Sequence, residues 1–175
     1  MKILGILRHA KSDWSDSRKA DFERGLNERG KRGARLMGEH IAHHGIRFDR
    51  IAASPAQRVK DTLESALPGR DVHYDRRLYL ASTDTICEVL SEVDGDPRAI
   101  LLSGHNPGLQ DMLFTLVAPN AENALFDEAK VKFPTASFAV YELDIDKWSD
   151  IRPECGKLVH FARPRDLDAS LGPED

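Results

Sequence analysis

The stretch MKILGILRHAKSDW, residues 1–14, decides the fold of this chain. Its apolar run at residues 3–7 is short and broken by Gly5, which favours a buried strand over a helix. Arg8 and His9 follow at once, so a strand that ends there holds both side chains at the carboxyl edge of a sheet, where open α/β sheets bind ligands. Histidine is a nucleophile or proton carrier at neutral pH, and arginine is a fixed anion binder. The segment therefore predicts a phosphate or carboxylate site.

The composition is that of a soluble globular protein. The chain has 175 residues, of which 41% are apolar and 31% charged, and this length suits one domain with a full core. We expect a single domain over residues 1–163 and a polar, acidic C-terminal tail without regular structure over residues 164–175. The formal net charge of −4 argues against nucleic acid as a partner, because binding to phosphate backbones needs a basic face.

The cellular location is predicted from the N-terminus and the cysteines. Arg8 interrupts the N-terminal apolar run too early for a signal peptide, and no stretch is apolar for long enough to span a membrane. Cys87 and Cys155 lie far apart and fit no metal spacing, which indicates reduced thiols. We therefore expect a cytoplasmic protein that does not bind membranes.

Strand and helix patterns alternate along the chain. Asn27 is expected to cap a helix that Gly45 ends, and Ser54-Pro55 is expected to open a second helix. The alternation predicts a three-layer α/β/α fold with a mostly parallel central sheet. We assign residues 118–135 to a loop or a weak helix. After the opening strand, further strands are predicted at residues 48–53, 72–80, 99–102, 137–143 and 157–162, and further helices around residues 86–93 and 109–117.

Cationic side chains from three segments are expected to meet at one edge of this sheet. The apolar strand at residues 99–102 ends near His105 in the same way that the first strand ends near His9. Arg58 follows Ser54-Pro55 in the first turn of a helix, which places it at the same edge. With Arg8, these side chains form a positive pocket, and guanidinium groups match a phosphoryl group through paired hydrogen bonds. Helix N-termini add partial positive charge there.

Three sequence blocks carry a resemblance to a known family. RHA at residues 8–10, SPAQR at 54–58 and GHNP at 104–107 resemble the histidine phosphatase superfamily, which has the phosphoglycerate-mutase-like fold. The short length and the GHNP block look most like the SixA-type branch, the phosphohistidine phosphatases. The resemblance covers roughly residues 1–120. The segments at residues 21–34 and 48–62 are also similar to that branch.

The resemblance implies a mechanism that suits these side chains. His9, as a neutral imidazole, attacks phosphorus and carries a transient phosphohistidine, which water then hydrolyses. Arg8, Arg58 and a protonated His105 hold the phosphoryl oxygens and stabilise charge in the transition state. The cationic side chains take the place of a metal, so we expect no metal and no cofactor.

Other residues near the predicted pocket have weaker signals. Lys11, Ser15 and Asn106 follow the strand ends and are assigned to substrate binding, with simple exposure to solvent as the alternative. The histidines that end the first helix suit its dipole as cations. No carboxylate or cysteine is spaced to complete a metal site with them. These histidines are His40, His43 and His44.

One departure from the family pattern bears on the substrate. Many relatives that cleave phosphate esters carry a carboxylate that protonates the leaving alkoxide, but residues 77–82 contain no acid here. Asp84 and Glu88 are nearby, and we expect both on a solvated helix surface. Imidazole leaves far more readily than an alkoxide, so a phosphohistidine substrate tolerates the missing acid. This favours phosphohistidine over sugar phosphates.

We therefore predict a monomeric phosphatase that acts on phosphohistidine in a phosphorylated protein. One alternative is a phosphatase of small phosphorylated metabolites, which an acid pointing into the pocket would favour. Another is a non-catalytic module that binds phosphorylated partners. The intact nucleophile His9 argues against that module, because binding alone does not require it.

Overall fold

The computed structural model describes residues 1–172, which form one six-stranded sheet with helices on both faces. The strands are β1 (Lys2–Arg8), β2 (Arg50–Ala53), β3 (His73–Tyr74), β4 (Ala99–Gly104), β5 (Phe138–Leu143) and β6 (Gly156–Ala162). The helices are α1 (Glu28–His44), α2 (Gln57–Ala66), α3 (Thr83–Ser91), α4 (Gly108–Leu116), α5 (Ala124–Val131) and α6 (Pro164–Leu167).

Strand β1 lies inside the sheet, whose order is β3-β2-β4-β1-β5-β6. It pairs in parallel with β4, so that Ile3 lies opposite Ala99 and Arg8 lies opposite Gly104. Its other neighbour, β5, is antiparallel to both β1 and β6, whereas the pairs β2–β3 and β2–β4 are parallel. The predicted mostly parallel central sheet is confirmed.

The two faces of β1 belong to two separate hydrophobic cores. Ile3 and Leu7 pack in the core that α1 and α2 cover, whereas Leu4 and Ile6 pack in the core that α3, α4 and α5 cover. Successive side chains of a strand point to opposite faces of the sheet. A strand between two helical layers therefore needs apolar residues at both its odd-numbered and its even-numbered positions. This explains the continuous apolar run, and the predicted three layers are confirmed.

Helix α1 begins and ends at the predicted residues. Asn27 is the N-cap, and its side-chain oxygen accepts a hydrogen bond from the backbone NH of Gly30 at 2.7 Å. Gly45 follows the last turn with a φ of 91°, a left-handed conformation that glycine adopts without strain. Both signals are local, which is why the sequence shows them.

Several predicted boundaries are wrong near the middle of the chain. Helix α2 starts at Gln57 after Ala56 as N-cap, so Ser54-Pro55 precedes the helix instead of opening it. Of the strand predicted at residues 72–80, only β3 forms. There the Asp75 carboxylate accepts a hydrogen bond from the backbone NH of Arg77 at 2.9 Å, which turns the chain into a short 3₁₀ helix.

The prediction of an unstructured C-terminal tail is wrong for residues 164–172. This segment forms α6 and a 3₁₀ turn, and Leu171 is buried. Arg32 of α1 forms an ion pair with Asp168, and Arg29 of α1 donates to the carbonyl of Ser170 at 3.0 Å. These contacts join segments far apart in sequence, so periodicity could not reveal them. Residues 173–175 lie outside the described residues.

The region at residues 118–135 contains α5, preceded by a 3₁₀ turn at Pro119–Ala121. Asn123 caps α5 by accepting from the backbone NH of Phe126 at 2.9 Å, and Phe126 packs in the core.

Both free cysteines are covered, since Cys155 is buried and Cys87 is half-buried. None of the helices in residues 1–172 is long and apolar enough to cross a membrane.

Candidate active site

Four predicted side chains meet at the carboxyl edge of the sheet. Because β1 and β4 are parallel neighbours, the residues after them emerge together, and the backbone NH of His9 donates to the carbonyl of Gly104 at 3.1 Å. The rings of His9 and His105 lie 5.4 Å apart between centroids. Arg58, in the first turn of α2, places its Nη2 3.3 Å from His105 Nδ1. Arg8, the last residue of β1, completes the group.

His9 is held as a neutral imidazole with a defined tautomer. Its Nδ1 lies 2.7 Å from the carbonyl oxygen of Ala10. A carbonyl only accepts hydrogen bonds, so Nδ1 carries the proton and Nε2 keeps the lone pair. Burial is the main cause that lowers the pKa of His9 to about 3. The hydrogen bond to the Ala10 carbonyl raises this pKa, whereas the positive charges of Arg8, His105 and Arg58 lower it further. Nε2 is therefore the atom available for attack at neutral pH.

Buried hydroxyl groups fix the segment that carries His9. The fully buried Thr62 accepts from the backbone NH of Ala10 at 2.9 Å and donates to the carbonyl of Arg58 at 2.7 Å. It thereby ties the end of β1 to the first turn of α2. Ser103 donates to the carbonyl of Leu7 at 2.7 Å. Neither residue is predicted from the sequence, because an isolated Ser or Thr in an apolar segment carries no signal of its partner.

Arg8 is a partly satisfied cation. Its Nη1 donates to the carbonyl of Phe133 at 3.1 Å, but its buried Nε has no hydrogen-bond partner among the described residues. Burial and the nearby Arg58 lower its pKa to about 10, so it remains charged at neutral pH. A buried NH without a partner costs about 1–3 kcal/mol. An anionic oxygen at this position would satisfy it.

Arg58 is oriented by a carboxylate that was not predicted from the sequence. Its Nη1 donates to the Asp21 carbonyl at 2.8 Å, and its Nη2 donates to the Asp21 carboxylate at 3.1 Å. The Tyr79 hydroxyl donates to the same carboxylate. This hydrogen bond and the positive charge of Arg58 lower the pKa of Asp21 below its usual value despite partial burial. An ionised carboxylate cannot donate a proton, so Asp21 orients Arg58 and does not serve as a general acid.

His105 is neutral in the structure, and its protonation beside a bound phosphoryl group stays a prediction. Its Nδ1 faces the Arg58 guanidinium, which only donates, and its Nε2 lies 2.8 Å from Ser54 Oγ. Nε2 therefore carries the proton. Burial and then Arg58 lower the pKa of His105 to about 4, with Asp21 opposing them. A phosphoryl dianion beside the ring would raise this pKa, because opposite charge favours the protonated form.

Comparison with known proteins agrees with this geometry. The model of the histidine phosphatase superfamily (branch 1) matches residues 4–80, which include Arg8, His9 and Arg58. A solved Nakamurella multipartitia protein, provisionally assigned as phosphohistidine phosphatase SixA, has a TM-score of 0.83 and 26% identity over 93% of this chain and 96% of its own. An Agrobacterium tumefaciens protein with the same provisional assignment has a TM-score of 0.77 and 28% identity, covering 93% and 98%.

The chain belongs to the histidine phosphatase superfamily, in its SixA-type branch.

Membership makes this SixA-type chain a phosphatase, a hydrolase of phosphoryl groups. An uncharacterized Mycobacterium tuberculosis protein is also similar, with 32% identity over 160 residues that span 91% of this chain and all of the relative. The resemblance noted at residues 8–10, 54–58 and 104–107 is thus confirmed at the level of family and fold.

The remaining predicted residues of this SixA-type site are placed differently. Lys11 lines a cleft beside Arg8. The Asn106 side chain is engaged by protein groups, since it donates to the Phe133 carbonyl at 2.9 Å and accepts from the backbone of the next helix at 3.2 Å. Ser15 is exposed in the loop after β1, where its NH donates to the Asp13 side chain. Substrate binding by Lys11, Ser15 and Asn106 stays a prediction.

His40 and His44, near the end of α1, pack against His160 of β6, which lies level with the middle of β1. His40 Nε2 lies 2.8 Å from His160 Nε2, and the tilted ring of His44 lies 4.1 Å from that of His160 between centroids. Burial and neighbouring histidines lower the pKa of His40, and they lower that of His160 to about 4. The interpretation as cations that suit the helix dipole is therefore wrong for His40. Within residues 1–172, no group of three or more His, Cys, Asp or Glu residues is arranged to hold a metal.

Proposed function

We propose that this phosphatase removes the phosphoryl group from phosphohistidine on a protein, through a covalent intermediate at His9. The observation that carries the proposal is the state of His9, a buried neutral imidazole whose Nε2 lone pair is fixed beside three other basic side chains. A neutral nucleophile among cations suits attack on a phosphoryl dianion.

The reaction is a pair of displacements at phosphorus. In the first, His9 Nε2 forms a bond to phosphorus while the bond from phosphorus to the substrate imidazole breaks. The substrate ring, protonated at its other nitrogen, leaves as neutral imidazole. In the second, water attacks phosphorus and the bond to His9 breaks, which releases phosphate and regenerates neutral His9. Arg8, Arg58 and His105 stabilise the oxygens in both steps.

The missing general acid supports phosphohistidine as the substrate. Asp21 is the carboxylate that contacts the predicted cationic group, and it is held ionised by Tyr79 and Arg58. Asp84 and Glu88 are exposed on α3, as expected. Ester hydrolysis needs an acid that protonates the leaving alkoxide. Phosphohistidine needs no such acid, because its ring leaves as neutral imidazole.

The test compares turnover of a histidine-phosphorylated protein with turnover of a phosphate monoester, with a chelator present. We expect a strong preference for the phosphohistidine protein and a labelled phosphoenzyme that is labile to acid. His9→Ala should lose turnover and label by more than a hundredfold, while His43→Ala, which changes an exposed histidine of α1, should keep both. Thermal melting of each variant verifies the fold.

Each contrary result identifies a different error. Faster hydrolysis of the ester would assign the enzyme to small phosphorylated metabolites. Tight binding of the phosphoprotein without turnover would make the chain a binding module. Label that persists in His9→Ala would remove His9 as the nucleophile, and loss of activity on chelation would require a metal.

A further inference from the structure

A basic cleft of about 230 Å³ adjoins the candidate active site. Its walls are the first half of α1, the loop at residues 132–135 and the segment at residues 163–172. Among the described residues, every ionisable side chain that lines it is basic, and no carboxylate does so. These side chains are Arg8, Lys11, Arg29, Lys132, Arg163 and Arg165. Such a concentration of positive charge is unexpected in a chain with a net charge of −4.

Nearby protein groups neutralise only part of this charge. Arg163 forms ion pairs with Glu128 and Asp166, each at 2.9 Å. Lys132 is exposed and Arg165 is half-buried, and neither forms a hydrogen bond or an ion pair within residues 1–172. Two cations therefore line the cleft without a hydrogen bond or an ion pair in the described part of the chain, and Arg165 acts on the nearby Asp166 only through its charge.

The inner end of the cleft is part of the candidate active site. Arg8 lines the cleft and also belongs to the group around His9. Its Nη1 and the Asn106 side chain donate to the same carbonyl, that of Phe133, at 3.1 Å and 2.9 Å. The loop that carries Lys132 is thereby fixed to the phosphoryl site. A substrate whose phosphoryl group reaches His9 would extend its adjacent part along this cleft.

Small residues shape the floor of the cleft. An added Cβ at Gly33 would lie 3.9 Å from the nearest atom of Pro164 and would not clash with it. The missing side chain at Gly33 therefore leaves open space in the cleft. At Gly30, in contrast, an added Cβ would collide with the Lys11 backbone. Gly30 thus brings the Lys11 segment against α1, and Gly33 leaves room beside it.

We propose that this cleft binds carboxylate side chains of an acidic segment next to the phosphohistidine of the substrate protein. The cations come from β1, α1, the loop at residues 132–135 and the segment after β6. A chain with several carboxylates can contact separate cations, which one small anion cannot. The inference rests on the proposed function and adds the substrate feature that would be recognised.

The test uses two histidine-phosphorylated peptides of equal length, one with Asp and Glu beside the phosphohistidine and one with Ser and Asn. Phosphoramidate, which lacks any flanking group, is the third substrate. We expect a kcat/KM about tenfold higher for the acidic peptide, the effect of two ion pairs near a surface. Added salt should reduce this preference, because it screens such pairs.

The double variant Lys132→Ala/Arg165→Ala should abolish the preference through KM, while kcat and phosphoramidate turnover stay unchanged. Its matched control is Lys147→Ala/Arg47→Ala, which removes the same charges from exposed positions at the opposite edge of the sheet. That control should retain the full preference. Neither pair of residues belongs to the group around His9.

The outcomes separate this inference from the proposed function. If no phosphoramidate or phosphohistidine substrate is turned over, the proposed function fails. Equal turnover of the two peptides, or a preference that survives the double variant, overturns the cleft proposal alone. A third outcome would also overturn the cleft proposal, namely that the double variant loses activity only on small phosphate esters that carry a second anionic group. The cleft would then bind metabolites and not an acidic protein segment.

Discussion

At the scale of single residues, the site depends on keeping histidines neutral among fixed positive charges. The imidazoles of His9 and His105 are buried, and Arg8 and Arg58 lie close to both. Burial and positive neighbours both disfavour the imidazolium form, so the two effects act in the same direction. The nucleophile is consequently deprotonated throughout the physiological range without needing a separate base.

Titration of the histidines by NMR should show this directly. We expect midpoints at about 3 for His9 and about 4 for His105, compared with about 6.5 for an exposed histidine. Arg58→Ala should raise both midpoints, because Arg58 disfavours the charge on each ring. Inorganic phosphate should raise the midpoint of His105 in the parent protein. Midpoints near 6.5 for both rings would contradict the arrangement described here.

At the scale of elements, β1 positions the site and tolerates little change. Gly5 occupies the middle of the strand, and the ring of Phe48 packs directly over it. An added Cβ would lie 2.5 Å from Phe48 Cζ, well inside contact distance. Phe48 is buried in the core under α1 and α2, so the ring has no free space into which it can move.

Gly5→Ala should therefore lower the free energy of unfolding by about 1–3 kcal/mol, as overpacking does. Gly33→Ala is the matched control, since its Cβ would meet nothing closer than 3.9 Å. That substitution in the interior of α1 should raise stability by up to about 1 kcal/mol, because alanine favours a helix. Urea unfolding followed by circular dichroism measures both, and equal effects would refute the packing argument.

At the scale of the whole molecule, lowered histidine pKa values make stability depend on pH. The affected residues are His9, His40, His105 and His160. In the unfolded chain they bind protons below about pH 6.5. The folded protein resists protonation down to about pH 4 at His105 and His160. The contribution of these histidines to the free energy of unfolding is therefore fully present above pH 6.5, and it decreases as the pH falls towards 4.

The melting temperature should fall steadily between pH 6.5 and pH 4.5. His160→Phe should make this fall shallower, because it removes a histidine whose folded-state pKa is lowered to about 4 and ends its repulsion with His40 and His44. Arg35→Ala, which changes an exposed position of the same helix, should follow the parent protein. A melting temperature that stays constant over this range would rule out the linkage. Carboxylates with lowered pKa values act at more acidic pH.

The sequence by itself determined the layered α/β fold and the meeting of Arg8, His9, Arg58 and His105. Those features depend on local patterns, namely apolar strands, helix caps and cationic residues that directly follow strand ends. Short-range signals also placed both ends of α1, at Asn27 and Gly45. The same patterns could not show which side chains from distant segments pack together.

Only the tertiary structure decided how those residues are tuned. The Asp21 carboxylate on Arg58, the buried Thr62 link and the neutral state of His105 all depend on contacts between segments far apart in sequence. The order at residues 164–172 and the basic cleft have the same origin, because both arise where this segment packs against α1. Burial and distance set charge states and hydrogen-bond partners, and neither quantity exists until the chain has folded.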